Sequence, residues 1–342
     1  MAEVAQVMND ASKTDPQRGT SESKSEKPSI ARRLADRPQL VLVAVLIALI
    51  LITGIVEPNY LSLTGLKNSL VWAIPIGILA AGQTILMLTG GIDLSIAMIA
   101  TASAYIAANQ SSNGAVFAIV IGLLVGLIAG TLNGVGVGVF RVNALIMTLA
   151  MAGILLGLFT GWATTIFAGS TRMHDFVRTL GGGSFFDGRI PWAAVIWAGV
   201  AVLVILLLRK TGFGRNLYAL GDNSIASRLS GIRAWQVLVT AYALSGILGS
   251  VAGLIVGGRI GSVDLQLVGF LLLPSVAAAV IGGTSIFGGV GTYTGTILGA
   301  LILGVLQSLL TFLGAGQAVQ QVLYGTFVIV LSWMYTALAG RQ

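Results

Sequence analysis

From Gln39 onward the chain alternates between unbroken apolar runs and short polar connections. A run of about 20 apolar residues, wound as a helix, crosses a hydrocarbon core about 30 Å thick. Ten such runs are read, over 39–56, 69–88, 94–109, 115–138, 143–167, 191–208, 235–257, 274–288, 293–313 and 319–338, the third and eighth being the shortest. The runs are continuously apolar and do not alternate with polar positions as barrel strands do, so helices are the spanning element. The pattern predicts an all-α polytopic membrane protein of about ten transmembrane helices, with broken or re-entrant glycine-rich segments.

The stretch before the first run has another character. Residues 1–30 are polar, mixed in charge and poor in aromatics, and the whole of 1–37 reads as a disordered cytoplasmic tail ahead of a transmembrane domain over 38–342. The first apolar run is too long for a signal-peptide core and lacks a small-residue cleavage pattern, so it is expected to stay as the first spanning helix. Composition agrees: of 342 residues 56% are hydrophobic and only 9% charged, and mean hydropathy is +0.93. The net charge of +7 does not point to nucleic acid, because the basic residues sit beside apolar runs, where they orient insertion. With ten spans, 14 of the 19 basic residues fall on the N-terminal side, which predicts that both termini are cytoplasmic. Cysteine is absent, so disulfides and thiolate metal sites are excluded.

Two connections are long enough to hold structure, 168–190 and 209–233. The first mixes amphipathic and glycine-rich pieces and predicts a short helix at the outer face. In the second, NSIASRLSGI places Ile225, Leu229 and Ile232 at helical spacing beside Arg228 and Arg233, a short amphipathic helix suited either to a groove on another protein or to lipid headgroups. LMLTGGIDLS near 86–95 and AAVIGGTSIFGG near 278–289 echo each other, each setting a glycine pair between an apolar helix and the next span, a device of transporters built from repeats.

Few residues are equipped for chemistry. No phosphate-cradling G-x-x-x-x-G-K-[ST] loop occurs, so the chain is not expected to hydrolyse ATP itself. His174, the only histidine, stands beside Asp175 without further metal ligands in view and reads as a surface residue. No nucleophile has a base nearby, which leaves an enzyme without a catalytic residue. Asp93 either caps a helix N-terminus just before Ser95 or lines a pathway at a helix break. Gly90, Gly91, Asp93, Ser95, Gly282, Gly283 and Thr284 are therefore the helix-break and pathway candidates. Gln83, Thr84, Asn133, Asn143, Gln307 and Ser308 are read as helix-to-helix hydrogen bonders. No chain of intramembrane carboxylates, lysines or histidines is present to couple transport to an ion, so the energy has to come from a partner, through 209–233.

TGGIDLS at 89–95, TGFGRNLYALGDNSIASRLSGI at 211–232 and AAAVIGGTSIFGGVGTYTGTILGALILGVLQSLL at 277–310 occur in this order, and with them the chain resembles permease subunits of the ribose/xylose-type sugar importers of the ATP-binding-cassette class. The resemblance runs over nearly the whole chain from the first span. It implies a homodimeric permease of the bacterial inner membrane that receives a monosaccharide from a periplasmic or lipid-tethered binding protein. Two cytoplasmic ATPase subunits, which hold the ATP and magnesium, would drive it, and this chain would need no cofactor. Residues 226–231 resemble the family's coupling segment, Ala-Ala-x-x-x-Gly, with Ser227 in place of the second alanine and Asp222-Asn223 where Gly-Asn is more usual. Asp222, Asn223, Ala226, Ser227, Arg228, Leu229, Ser230 and Gly231 are thereby implied to dock the ATPase. Trp72 and Trp162 either stack on a sugar or anchor at the membrane interface.

Two other readings stand beside it. An ABC permease for branched-chain amino acids would need a carboxylate clamp and an ammonium partner, which the spans do not supply clearly, and one for another small polar solute, such as a nucleoside, polyol or autoinducer, stays open. A stand-alone channel or facilitator would assign 209–233 no partner.

Overall fold

The computed structural model of the chain describes residues 38–162 and 171–339. The expected tail at 1–37 and the end of the fifth run, 163–167, lie outside the described residues. Among the described residues thirteen α-helices follow one another: α1 Pro38–Val56, α2 Leu63–Met87, α3 Ile96–Asn109, α4 Ala115–Gly138, α5 Ala144–Trp162, α6 Asp175–Gly182, α7 Trp192–Lys210, α8 Gly212–Asp222, α9 Ser224–Leu229, α10 Ala234–Ile260, α11 Leu272–Ile281, α12 Tyr293–Phe312 and α13 Gln317–Ala339. One small antiparallel pair, β1 Ser184–Phe185 with β2 Ile190–Pro191, lies between α6 and α7.

Among the described residues, seven helices (α1, α2, α4, α5, α7, α10 and α12) are long and apolar enough to cross a membrane. The third and eighth runs, read as the shortest, correspond to the short apolar helices α3 and α11, of 14 and 10 residues. The eighth predicted run needs the largest correction: α11 stops at Ile281, and 282–292 is irregular up to α12. Gly283 there has a φ of +84°, a left-handed turn that ends a helix at little steric cost.

Of the seven long helices α2 is the most enclosed and α1 the least, its leucines, valines and isoleucines facing outward as lipid requires. α2 and α10 run antiparallel through the centre: Gly82 lies against Ser245, and Trp72 against Arg259. Small residues permit the approach of α4 to α10. A methyl group on Gly126 would stand 2.2 Å from the carbonyl oxygen of Gly246, so the two backbones touch where no larger residue fits. Hydroxyls fasten the bundle, Ser103 to Ser250 at 2.7 Å, Thr84 to Thr296 at 2.8 Å and Ser69 to Ser308 at 2.8 Å.

Each central helix is followed by a return segment and a shorter helix, α2 by 88–95 and α3, α10 by 261–271 and α11. The returns share the pattern Gly-x-x-Asp-Leu, in Gly90-Gly91-Ile92-Asp93-Leu94-Ser95 and Gly261-Ser262-Val263-Asp264-Leu265-Gln266. They also share a geometry. The leading glycine has φ of +78° in one and +86° in the other, and the aspartate Oδ1 accepts the N–H two residues on, from Ser95 at 2.9 Å and from Gln266 at 2.8 Å. Because α2 and α10 are antiparallel, the two returns lie at opposite ends of the bundle. The structural counterpart of 86–95 is therefore 261–266, not the 278–289 segment read from its glycine pair.

Candidate functional site

The 209–233 connection forms a helical hairpin, α8 and α9, where a single short helix is expected. Thr211 starts α8 by accepting the N–H of Gly214 at 3.1 Å, and Leu217 and Leu220 bury one face against the bundle. Asn223 ends α8 and caps α9, its Oδ1 accepting the N–H groups of Ile225 at 3.0 Å and Ala226 at 2.9 Å. Ser227, where the resembled segment has alanine, is buried and donates its hydroxyl to the Ala219 carbonyl at 2.7 Å, a tie between the two helices that alanine cannot make. Gly231, at a φ of +83°, turns the chain toward α10. The tip is otherwise uncovered: Ile225 is 72% exposed and Leu229 85%, with Asp222, Ala226, Arg228 and Ser230 exposed around them.

The base of the hairpin meets both glycine-rich breaks. Gly221 packs backbone to backbone on 88–89 and 288–289: a methyl group on it would stand 1.8 Å from the Leu88 carbonyl oxygen and 2.6 Å from the Gly289 nitrogen. Those two atoms are bonded to each other, Gly289 N–H donating to the Leu88 carbonyl at 3.0 Å. Tyr218 adds a second strut, its hydroxyl donating to the Gly291 carbonyl at 2.8 Å. Burial raises the Tyr218 phenol above its ordinary value, with Arg209 pulling the other way, so the hydroxyl remains a donor. Three segments far apart in sequence are thus joined by main-chain contacts that leave no room for a side chain.

Behind this junction lies Asp93, with none of its surface exposed. Its Oδ1 accepts the Ser95 N–H at 2.9 Å and the Ser95 hydroxyl at 2.6 Å, and its Oδ2 accepts the Ser245 hydroxyl at 2.9 Å. Gln83 holds its main chain from both sides, donating to the Asp93 carbonyl at 2.8 Å and accepting its N–H at 3.2 Å. Asn133 donates to the Ser95 hydroxyl at 2.8 Å, and Thr148 accepts the Leu94 N–H at 3.1 Å. The first return is thereby tied to α2, α3, α4, α5 and α10 in one polar knot, the arrangement in which buried polar groups are tolerated. Asp93 stands two residues ahead of Ser95, the N-cap of α3, and in this arrangement its side chain has no exposed surface.

The sequence candidates accordingly fall into groups. Gly90 approaches the Phe287 carbonyl and belongs to the junction, Gly91 lies beside the Tyr242 hydroxyl, and Asp93 and Ser95 form the knot. Gly282 packs on Gly295 of α12, and Gly283 and Thr284 sit at the end of α11, the buried Thr284 hydroxyl having no hydrogen-bond partner among the described residues. Asn223 to Gly231 form the tip. Gln307 accepts the Tyr324 hydroxyl at 2.7 Å and so joins α12 to α13, whereas Asn143, read as a helix-to-helix bonder, is exposed and only caps its own helix α5 through the Leu145 N–H at 2.9 Å. His174 caps α6, accepting the Phe176 N–H at 3.1 Å. Among the described residues no group of three or more His, Cys, Asp or Glu is placed to hold a metal. The side chain of Trp162 lies outside the described residues. Sequence reasoning passes over Tyr218 and Gly221; their signal is Thr-x-x-Gly followed by Leu217 and Leu220 at helical spacing, which marks a capped α8.

The family described as branched-chain amino acid transport system / permease component matches residues 65–332. Ribose import permease protein RbsC of Bacillus subtilis is 36% identical over 291 residues, 83% of this chain and 88% of the relative. L-arabinose ABC transporter permease protein AraH of Azospirillum brasilense is 31% identical, with 84% of this chain and 85% of the relative covered. Fructose import permease protein FrcC of Rhizobium meliloti is 32% identical, with 86% and 82% covered. No solved structure matches the chain. The chain belongs to the branched-chain amino acid transport system / permease component family, and within it to the sugar permeases of ABC transporters.

Proposed function

We propose that the chain is the subunit through which a monosaccharide of the pentose or hexose class crosses the inner membrane, and that it is moved by cytoplasmic ATPase subunits seated on the α8–α9 tip. The observation that carries this reading is the pairing of two features on one hairpin, an uncovered apolar tip at Ile225 and Leu229 and a base bonded into both glycine-rich breaks. A large side chain exposed at the end of a capped helix fits a groove on another protein. A base without slack passes any displacement of the tip to 88–91 and 287–291.

ATP and magnesium belong to the ATPase in this scheme. Closing of the ATPase pair pushes the hairpin, the junction shifts the two breaks, and the bundle alternates between openings at its two ends. Both termini and the hairpin then face the cytoplasm, a second copy of the chain completes the permease, and a periplasmic or lipid-tethered binding protein delivers the sugar at the opposite end. A neutral sugar asks for hydrogen bonds and aromatic faces and no counter-charge.

Co-purification tests the docking surface. Leu229→Asp changes a residue that touches little of its own chain, so the permease should keep its yield and melting temperature while losing the co-expressed ATPase subunit. Gly231→Arg, which strains the turn at φ +83°, should lose it too. Full retention of the ATPase by both variants would contradict the assignment. Uptake of L-leucine in place of any sugar by the reconstituted assembly would favour the amino acid reading.

A further inference from the structure

At the end of the bundle opposite the hairpin, beside the second return, lies a cavity of about 210 Å³. Trp72 of α2, Arg259 of α10 and Phe270 line it, with Val71, Pro75 and Ala193 among its apolar walls. The Trp72 and Phe270 rings meet edge to face at 6.5 Å between centroids. The Arg259 guanidinium carbon stands 4.9 Å above the Trp72 ring, a cation–π contact. α6 closes one side, its Gly181 so close that a methyl group there would stand 2.6 Å from the Arg259 nitrogen.

Arg259 is exposed at this end of the bundle, and among the described residues no acceptor meets its hydrogen-bond donors. Arg172 and Arg178 share Asp175, at 3.5 and 3.0 Å, and together hold that carboxyl below its ordinary range, while Lys67 donates to the Gly188 carbonyl at 2.7 Å. Among the described residues Arg259 has neither a carboxylate nor another acceptor, only the ring beneath it. A guanidinium carries five N–H donors in a rigid fork. One placed over an aromatic wall at the mouth of an otherwise apolar cavity is equipped for a ligand with an apolar C–H face and a rim of hydroxyls.

We propose that this cavity is a subsite for a neutral monosaccharide, with Trp72 and Phe270 packing on its C–H face and Arg259 donating to its hydroxyls. The proposal rests on the transport reading above and adds to it where the sugar first meets the permease and which residues grip it. A carboxylate ligand would instead take the guanidinium in a two-point bond.

The test uses the complete assembly of permease, ATPase and binding protein in proteoliposomes, with D-ribose, L-arabinose and D-fructose as probes. Trp72→Ala and Arg259→Gln should each slow uptake of the transported sugar by about tenfold, the scale of one lost aromatic or charge-assisted contact. Trp72→Phe, which keeps a ring, should stay within about twofold of wild type on the same scale. In all three variants the ATPase should remain bound and be stimulated by the loaded binding protein as in wild type, a readout that a merely structural defect would spoil. Unchanged uptake in Trp72→Ala and Arg259→Gln would overturn the subsite and leave the transport reading intact. So would loss of uptake in step with loss of ATPase stimulation. Wild-type assemblies that move none of the three sugars would overturn the transport reading and the subsite with it.

Discussion

The two return segments are built alike and housed differently. In both, a left-handed glycine ends a central helix and an aspartate three residues later accepts the N–H two positions on. Around 88–95 the space is closed: Asp93 is buried among Ser95, Ser245 and Gln83, and the chain ahead of it is locked to Gly221 and Gly289. Around 261–271 it is open: Asp264 is exposed and the Trp72 cavity adjoins it. The same local motif is therefore compatible with a sealed and an accessible surrounding, and the difference lies in what packs on it. An inverted pair of this kind is what a permease needs if its two ends are to exchange roles, since each half can take the environment the other has given up.

Replacing the aspartates puts the contrast under its greatest load. Asp93→Ala strips acceptors from the Ser95 N–H, the Ser95 hydroxyl and the Ser245 hydroxyl, at about 1–3 kcal/mol for each buried donor left bare. The expected outcome is a collapse in the yield of folded, detergent-soluble protein, followed by size-exclusion chromatography. Gly221→Ala should act less on folding and more on transmission. One methyl group forced against the Leu88 carbonyl costs about 1–3 kcal/mol and lifts the hairpin off the breaks. Reconstituted Gly221→Ala should still bind its ATPase and hydrolyse ATP, yet move several-fold less sugar per ATP than wild type. Asp264→Ala is the mildest, within about 0.5 kcal/mol in thermal unfolding, as for an exposed substitution. Equal damage from Asp93→Ala and Asp264→Ala would dissolve the contrast between the two returns.

Much of this architecture can be read from hydrophobic pattern, because a helix in lipid must be long and apolar whatever its neighbours are. The runs at 69–88, 115–138, 235–257 and 293–313 each coincide with a helix to within a few residues except at the start of α2, where Ser62 caps a helix that begins a turn and a half earlier. The eighth run fails because Ile286 and Phe287 continue the apolar signal through a turn that Gly282 and Gly283 have already made. Hydropathy averages over backbone geometry and does not register such a break. The tip of the α8–α9 hairpin is legible from Ile225 and Leu229, but its base is not. Gly221 touches Leu88 and Gly289 through main chain alone, and contacts without side chains leave no pattern in a sequence. The inverted repeat is visible as Gly-x-x-Asp-Leu at 90–94 and 261–265, yet the brighter glycine pair at 282–283 draws attention from it.

The central claim, that the two returns exchange access as the hairpin moves, is tested most directly at Leu94 and Leu265, which hold equivalent places in the repeat and are both half-buried. The chain has no cysteine, so Leu94→Cys and Leu265→Cys each give a single reactive site. Maleimide labelling rates would be measured on the assembly with its ATPase, free of nucleotide and trapped with ATP and vanadate. The account predicts opposite changes, one position labelling faster in the trapped state and the other slower. Rates that rise together, fall together or stay fixed at either position would contradict it.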